Sequence, residues 1–434
     1  MAIPTVELKG VRLLDRDGPA IDLLAEAGRW VRVDVEAGPP LPRAGASGSP
    51  PSGRGGGEGA RDEQGAGDGK GVGTRSLRPH PGPPPGGEGE EGQDLVWSAG
   101  AIDPHINGWG GCDFLRDDPA AHRRALRALC AAGVTGFLPT LITCGEAELR
   151  AALDRWAAWA AAPPPDAPSF FGLHLEGPFL NPRHAGVHPP HHLRVPDAAW
   201  LVGLLEQYPG LIRLMTLAPE LPGAAEVIDA AVAHGVVVGL GHSAASAAQV
   251  GQAVDHGARY VTHLFNAMGP FHHREPGLAG AALARDDLVC EVIGDGHHVG
   301  PEGLAVAWRC LGAQRLMLVS DAVAAAGGGS RFHLGTVEGE VVRGRAVDRR
   351  GRLCGGLASP WEAVQVVAAA SGVAWQALAT CVRHTVLHAL DLPAAMEPRT
   401  GETADLVGLD PTGCVRAVLR GGEWLVRPGA RPAA

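Results

Sequence analysis

Two residues that can bind a metal ion or move a proton lie two positions apart in a short apolar segment. The segment spans residues 170–180 and contains His174 and Glu176, directly before Gly177 and Pro178, which end the strand pattern. Side chains two positions apart on a strand point to the same face, so an imidazole and a carboxylate are expected together where the strand ends. An isolated His-x-Glu pair is more often a buried, hydrogen-bonded pair, and the rest of the chain must decide between these interpretations.

Three further polar residues are placed in a similar way. His242 and Asp321 each follow a short apolar segment, and His263 lies within the strand-like segment 260–265. A glutamate and two histidines bind zinc-like ions while leaving a position for water, as hydrolytic sites require. An aspartate beside them is suited to general-base catalysis. Singly, each residue has a structural alternative as a packing or helix-capping group, so the hypothesis of a catalytic site depends on their joint placement.

The fold has to bring these residues together. Between residues 99 and 398, helical segments alternate with buried strand-like segments, and the last helix is predicted at 375–390. The region has the length of a (β/α)8 TIM-like barrel, whose strands all open at their carboxyl ends onto one face. The sequence therefore predicts an α/β fold whose barrel gathers the four polar residues on that face.

Strand-like segments at both ends of the chain predict a second, smaller unit. Residues 1–38 and 94–98 resemble short antiparallel strands, and residues 399–434 return to the same pattern. Residues 39–93 are dominated by glycine, proline, serine and charge, which predicts a disordered insertion. We expect the two chain ends to pair into one small β-sandwich beside the barrel.

Composition narrows the class of protein. The chain of 434 residues has 47 acidic and 37 basic residues and a formal net charge of -10, so no nucleic-acid partner is expected. The sequence has no apolar run of about 18 residues, so no membrane partner is expected either. The eight cysteines are scattered without a C-x-x-C pair, and together with the absence of a leader-like start they predict a cytoplasmic protein with reduced thiols.

Several segments, in order along the chain, resemble the N-acetylglucosamine-6-phosphate deacetylase family of the amidohydrolase superfamily. They are HLEGPFL at 174–180, GVH at 186–188, LAPE at 217–220, GHS at 241–243, THLFNAM at 262–268, REPGLAG at 274–280, DGHHV at 295–299 and SDA at 320–322. The family fold, an amidohydrolase barrel with a β-sandwich, agrees with the layout predicted above. The resemblance implies metal-dependent hydrolysis of N-acetyl-D-glucosamine 6-phosphate to D-glucosamine 6-phosphate and acetate.

The resemblance also implies roles for individual residues. Glu176, His242 and His263 would bind one divalent metal ion, with Zn²⁺ as the first choice and Fe²⁺, Mn²⁺ or Co²⁺ as alternatives. Asp321 would take a proton from the attacking water and return it to the departing amine. His188 would polarise the acetyl carbonyl and stabilise the oxyanion.

An amino sugar phosphate is the partner that the resemblance implies. The residues that would line its pocket are Val187, His188, Asn266, Ala267, Arg274, Asp295, Gly296, His298, Leu353, Cys354 and Gly355. Arg274 and His298 would bind the phosphate, although Arg274 could instead form a surface ion pair with Glu275. The family holds the phosphate partly with a neighbouring subunit, which implies a homodimer.

Two positions depart from the patterns of these enzymes. Many amidohydrolases bind a second metal with His-x-His after the first barrel strand, whereas this chain has His105 followed by Asn107. Asparagine is a poor zinc ligand, so one well-occupied metal is expected. At Gly356 the family usually has a hydroxyl residue.

Two other functions stay open at this point. The same metal and base could serve another N-acyl sugar phosphate, such as N-acetylgalactosamine 6-phosphate. A barrel that binds a sugar phosphate without catalysis is a third hypothesis. The presence of Asp321 argues against it, because a binding protein does not need an acid-base group beside a metal.

Overall fold

The computed structural model of the protein describes residues 5–14, 21–35, 95–393 and 403–429. The segment 39–93, for which the sequence predicts a disordered insertion, lies outside the described residues. The domain boundaries that were drawn from the sequence stay a prediction.

Eight parallel strands, hydrogen-bonded in chain order, form the predicted barrel. They are β1 (Ala101–Ile106), β2 (Val134–Ile142), β3 (Leu173–Glu176), β4 (Ile212–Leu217), β5 (Val237–Leu240), β6 (Tyr260–Val261), β7 (Val289–Ile293) and β8 (Leu316–Val319). The strands are rich in Val, Ile and Leu and are buried over most of their length, as expected for a parallel sheet that is covered on both faces.

The barrel closes between β1 and β8 at their carboxyl ends. The Asp321 N–H donates to the His105 carbonyl at 2.9 Å, and the Asn107 N–H donates to the Ala322 carbonyl at 2.8 Å. These bonds fix the main chain of three polar residues, His105, Asn107 and Asp321, at the face where barrel enzymes bind their substrates.

Helices cover the barrel and close its opposite end. The α-helices are Pro119–Ala131, Glu146–Ala161, Ala198–Gln207, Ala224–Ala233, Ala247–Asp255, Gly277–Ala284, Pro301–Arg315, Pro360–Ser371, Trp375–Ala379 and His384–Ala389. Val386 and Leu390 pack with Ile102, Leu214 and Met317 in one buried apolar cluster. The barrel interior is therefore filled with side chains below the polar face.

The two chain ends pair with each other, as the sequence predicts, and they do so in one seven-stranded sheet. Its strands, in spatial order, are Glu423–Val426, Val415–Arg420, Leu406–Leu409, Val96–Ser98, Val6–Leu13, Ile21–Glu26 and Arg29–Val35. Neighbours are antiparallel except for the parallel pairing of Val6–Leu13 with Val96–Ser98. Trp30, Trp97 and Leu419 belong to a separate apolar core under this sheet.

A four-stranded antiparallel sheet follows β8 and was not predicted. Its strands are Arg331–Leu334, Val337–Val342, Arg345–Asp348 and Leu353–Gly355. The strand Val337–Val342 alternates half-buried and exposed residues and is rich in charge, so its composition resembles that of a loop. Short strands of this kind give a weak sequence signal.

The structure also corrects two element boundaries. The helix predicted at 375–390 is divided by a 3₁₀ turn at Thr380–Val382 and by Arg383, whose φ of -142° is not helical. The Arg383 guanidinium donates to the Gly100 carbonyl at 3.0 Å, so the break directs this side chain to the start of β1. The strand predicted at 260–265 ends at Val261. Across the described ranges, the helices are too short or too polar to span a membrane.

Candidate metal and catalytic site

Glu176, His242 and His263 converge at the carboxyl face of the barrel. Oε1 of Glu176 lies 2.9 Å from Nε2 of His242 and 3.0 Å from Nε2 of His263. The two Nε2 atoms are 3.0 Å apart. All three residues are buried. Among the described residues they form the one group of histidine, cysteine or acidic side chains whose ligand atoms lie close enough together to hold a metal ion.

The backbone at these strand ends is unusual. His242, His263 and Asp321 have φ values of 48°, 32° and 44°, in the left-handed region that non-glycine residues seldom adopt. Such conformations persist where the surrounding structure enforces them, and they concentrate at functional sites. The left-handed turn also explains why β6 ends two residues before His263.

The His242 ring is oriented for metal binding. Its Nδ1 donates to the His184 carbonyl at 2.8 Å, which leaves the Nε2 lone pair directed at Glu176 and His263. Burial lowers the pKa of His242 to about 4, so the ring is neutral near pH 7. A neutral imidazole is the form that binds a metal.

The Glu176 carboxylate completes a donor set that suits a divalent ion. Although burial opposes ionisation, His105 and His188 nearby hold the pKa of Glu176 well below its usual range. One carboxylate oxygen and two imidazole nitrogens match the ligands of catalytic zinc sites, which keep one position open. The residues present therefore fit the metal that the sequence predicts.

Asp321 lies on the edge of this cluster. Its Oδ1 accepts a hydrogen bond from Nδ2 of Asn107 at 2.7 Å and is 3.2 Å from Nε2 of His105. Asn107, which the sequence identified only as a poor metal ligand, thus orients the candidate general base. The carboxylate is 13% exposed, so it borders the open face of the site.

His188 reaches the site from the loop after β3. Its Nδ1 accepts the Thr143 N–H at 3.3 Å, so a neutral ring carries its proton on Nε2. That Nε2 lies 3.4 Å from Oε2 of Glu176. The ring therefore presents a donor beside the candidate metal site, as an oxyanion-stabilising group should. Val187, the residue before it, is half-buried against the core.

The loop after β7 is organised by Asp295. Its carboxylate accepts the His298 N–H at 2.9 Å and contacts Nδ1 of His298 at 2.7 Å. Burial would raise the pKa of Asp295, but the contacts with His298 lower it overall. Gly296 has a φ of 72° and allows the tight turn that aligns these groups.

The other predicted substrate residues differ in how close they lie to this cluster. The Asn266 N–H donates to the His263 carbonyl at 2.9 Å, and the Ala267 carbonyl accepts the N–H of Ser243, which follows His242. Both are therefore tied to segments that carry candidate metal ligands. Arg274 is exposed in the single chain, and its Nη1 lies 3.0 Å from Nε2 of His273.

The strand Leu353–Gly355 lies behind Asp321. The Gly356 N–H donates to the Asp321 carbonyl at 2.8 Å, while Leu353 is half-buried and Cys354 is buried. A Cβ atom on Gly356 would lie 2.1 Å from the Ser320 carbonyl oxygen. This contact gives a steric reason for glycine where the family was expected to have a hydroxyl residue.

Two histidines near the cluster have different roles. His174, from the initial His-x-Glu pair, is hydrogen-bonded on both nitrogens by threonines, at 3.1 Å to Thr140 and 2.7 Å to Thr216. It is a buried structural group below the site. Nε2 of His105, by contrast, points at Asp321 and lies 3.6 Å from Oε2 of Glu176.

Glu291, which is fully buried on β7, was not among the residues predicted from the sequence. Its Oε2 accepts from Nδ1 of His105 and from the His263 N–H, both at 3.0 Å, and the Tyr260 hydroxyl donates to its Oε1. Although burial disfavours a charged ring, nearby carboxylates, Glu291 foremost, raise the pKa of His105 well above its usual range. A glutamate inside the apolar run VCEVI was the available signal.

Comparisons with known proteins agree with this geometry. No family model matches the chain. The bovine (Bos taurus) N-acetylglucosamine-6-phosphate deacetylase is 37% identical over 361 residues, covering 78% of this chain and 85% of that protein. The N-acetylgalactosamine-6-phosphate deacetylase of Shewanella sp. (strain ANA-3) is 36% identical over 338 residues, covering 75% and 82%.

A solved structure covers the same fold. It is a mutant of the Mycobacterium smegmatis N-acetyl-D-glucosamine-6-phosphate deacetylase in complex with N-acetyl-D-glucosamine-6-phosphate, and it has a TM-score of 0.78 and 29% identity, covering 98% of this chain and all of that one. The parallel barrel, its accompanying sheets and these similarities define an amidohydrolase-superfamily enzyme. Within that superfamily, the chain belongs to the N-acetylglucosamine-6-phosphate deacetylase family.

Proposed function

We propose that this protein hydrolyses N-acetyl-D-glucosamine 6-phosphate to D-glucosamine 6-phosphate and acetate. The observation that carries the proposal is the convergence of Glu176, His242 and His263 beside Asp321, in a chain similar to deacetylases over most of its length. A mere sugar-phosphate binder is less well supported, because it has no use for an acid-base group at such a cluster.

Glu176, His242 and His263 would hold one divalent metal ion, with Zn²⁺ favoured over Fe²⁺, Mn²⁺ or Co²⁺. Such an ion acts as a Lewis acid and makes water a better nucleophile near neutral pH. We expect one ion per chain, because Asn107, whose amide is a poor ligand for zinc, stands where a second histidine would be needed after His105. Elemental analysis of the purified protein measures this number, and two tightly held ions would contradict it.

The chain's own residues account for the proton transfers. The water oxygen bonds to the acetyl carbonyl carbon while Asp321 takes a proton from that water. The Nε2–H of His188 donates to the carbonyl oxygen as negative charge develops there. Asp321 then returns the proton to the amide nitrogen, and the C–N bond breaks to give the amine and acetic acid. The acid gives its remaining proton to the amine or to solvent and leaves as acetate.

Substrate recognition would use the loops around this cluster. Asn266, Ala267, Arg274 and His298 would hold the sugar phosphate, with His298 oriented by Asp295. We propose a homodimer in which a neighbouring subunit covers the exposed Arg274, and a cytoplasmic location consistent with unpaired cysteines.

A second substrate is supported by one comparison. The Shewanella relative, at 36% identity, is named for N-acetylgalactosamine 6-phosphate, which differs in the configuration of one ring hydroxyl. The same residues would carry out the chemistry, and the preference would depend on contacts to that hydroxyl.

Acetate release tests both substrates in one experiment. The purified enzyme is assayed with each 6-phosphate sugar, after metal removal by a chelator and after Zn²⁺ is added back. We expect activity with the glucosamine derivative that disappears with the metal and returns with it. Efficient turnover of the galactosamine derivative alone would show that N-acetylgalactosamine 6-phosphate is the substrate. If neither sugar released acetate, the proposed function would be wrong.

A further inference from the structure

Arg352 connects the four-stranded sheet to the loop that carries His188. Its Nη1 donates to the Gly186 carbonyl at 2.5 Å. The same guanidinium is held by Asp348, whose Oδ2 accepts from Nε at 2.8 Å and contacts Nη2 at 2.7 Å. Two-point contacts between arginine and a carboxylate fix the plane of the guanidinium, so the third nitrogen is directed at the loop.

The anchor for Arg352 is itself rigid. Asp348 is 8% exposed, and its Oδ1 accepts the backbone N–H groups of Arg350 and Arg352 at 2.8 and 2.9 Å. Exposed ion pairs usually contribute little because two mobile side chains must be ordered. Here one partner is buried and already fixed, which removes much of that cost.

Gly186 lies between two residues that support the candidate site. His184, two positions earlier, accepts the Nδ1–H of His242. His188, two positions later, presents its Nε2 beside Glu176. Gly186 itself has a φ of 58°, a conformation that glycine enters and leaves easily. Its carbonyl therefore needs a fixed donor if the turn is to keep one shape.

The strand Leu353–Gly355, which directly follows Arg352, also supports the candidate general base. Gly356, four residues after Arg352, donates its N–H to the Asp321 carbonyl. The residues on either side of this strand thus contact two parts of the site: Gly356 contacts the main chain of Asp321, and Arg352 contacts the loop of His188. The sheet is placed to set the distance between these two groups.

We propose that Arg352 is a positioning residue for His188, which it holds in register with Asp321 through the Gly186 carbonyl. This inference rests on the proposed deacetylase function. Because a small misplacement of a catalytic group can reduce the rate by up to about a hundredfold, we expect Arg352→Ala to lower kcat by about tenfold. KM, metal content and thermal stability should change little, because the Arg352 side chain contacts Asp348 and the Gly186 carbonyl, and its bond from the predicted pocket residue Cys354 is to the main chain, which the substitution keeps.

A double-mutant cycle tests the proposal. Acetate release is measured for the wild type, Arg352→Ala, His188→Ala and the double variant, with Arg349→Ala as the matched control. Arg349 lies in the turn between Arg345–Asp348 and Leu353–Gly355, and its side chain, 82% exposed, pairs with Glu338. If Arg352 acts through His188, its substitution should lower kcat in the wild type and have almost no effect in the His188→Ala background.

Three outcomes would overturn the proposal. Equal losses in both backgrounds would show that Arg352 acts independently of His188. A loss of bound metal in Arg352→Ala would show that it acts through His184 and His242. An active Arg352→Ala enzyme with unchanged kcat would remove the role altogether. Absence of acetate release from the wild type would instead count against the proposed function.

Discussion

The Asp321 carboxylate is oriented before any substrate arrives. Asn107 donates to its Oδ1, and its backbone adopts a φ of 44°. We predict that Asp321→Asn lowers kcat by about 10²–10⁴-fold, because an amide cannot accept and return the proton. Asparagine tolerates the left-handed backbone, so the fold and metal content should be retained. Acetate release, thermal unfolding and elemental analysis measure the three effects.

Asp229→Asn is a matched control, since Asp229 is an exposed aspartate that pairs with His256. It should leave all three measurements unchanged. An Asp321→Asn enzyme within a few-fold of the wild type would mean that another group moves the proton.

Glu291 joins three strands inside the barrel through His105, Tyr260 and the His263 N–H. We predict that Glu291→Gln weakens metal binding by about 10–100-fold, as for other residues that orient metal ligands. An amide offers one acceptor oxygen where the carboxylate serves donors with two. Titration of the metal-free protein in competition with a chelator measures the dissociation constant without an activity assay.

Tyr260→Phe is the control here, because it removes one donor and leaves the carboxylate in place. Its effect on metal affinity should be clearly smaller than that of Glu291→Gln. Equal affinities in Glu291→Gln and wild type would show that the His263 backbone is held by the barrel alone.

A comparison of the predicted site residues with Glu291 shows which functional positions can be identified from a sequence. Glu176, His242 and Asp321 each follow an apolar segment, and the topology of a parallel barrel brings such positions together. Glu291 lies in the middle of a strand and contacts His105, 186 positions away. No local pattern encodes that contact, because it exists only once the barrel closes and β1 and β7 lie on either side of β8.

At the scale of elements, the strand Leu353–Gly355 packs closely against β8. A Cβ on Gly356 would lie 2.1 Å from the Ser320 carbonyl oxygen, so Gly356 or the Ser320 main chain must move to accept it. We predict that Gly356→Ala costs about 1–3 kcal/mol of stability, as overpacking does, and that it lowers kcat because the Ser320 carbonyl belongs to the peptide bond that leads into Asp321. Gly203→Ala is the control, since a Cβ there meets no atom within 4 Å. Comparable stability in both variants would contradict this steric argument.

The helix Pro119–Ala131 docks on the next helix through His122. This ring stacks on Trp156 with centroids 4.6 Å apart, and burial, reinforced by the charge of Arg155, lowers its pKa to about 4. The neutral ring is therefore favoured in the folded state. Its stabilising contribution is present above the ordinary pKa near 6.5 and is lost as pH falls towards 4.

We predict that His122→Phe loses less stability on acidification than the wild type does, because phenylalanine can stack but cannot become charged. The pKa difference corresponds to roughly 3 kcal/mol between pH 7 and pH 4. Denaturant unfolding of both proteins at the two pH values measures it. Parallel losses in the two proteins would show that His122 does not titrate on unfolding in this range.

Element boundaries were harder to predict than element types. The alternation of helices and strands was sufficient for the barrel, because buried parallel strands are strongly apolar. The prediction of one continuous helix over 375–390 was wrong at Arg383, which turns inward to bind the Gly100 carbonyl. The four-stranded sheet was missed because its strands are short and charged. The first error arises where a tertiary contact overrides the local preference, and the second where the local signal itself is weak.

At the scale of the whole molecule, the exposure of Arg274 bears on how the protein could bind the phosphate of its substrate. An exposed cation gains little from an ion pair in water, whereas an enclosed guanidinium can bind a phosphate with two charge-assisted hydrogen bonds. Strong selection for a phosphorylated sugar would therefore require a surface that covers Arg274. A neighbouring subunit is our proposal for that surface, since Arg274 is exposed among the described residues of one chain.

We therefore predict that the oligomer turns over N-acetylglucosamine without phosphate at least about a hundredfold less efficiently than the 6-phosphate, because a site built for a polar group rejects the analogue that lacks it. Arg274→Ala should remove most of this preference while the metal content stays unchanged. Arg285→Ala, which removes a half-buried arginine paired with Asp287, should leave the preference intact. Comparing kcat/KM for both sugars, with the oligomeric state measured under the same conditions, tests the argument. A monomer that keeps the whole preference for the phosphorylated sugar would show that one chain encloses the phosphate by itself. Equal efficiencies for the two sugars would show that the substrate is not a sugar phosphate.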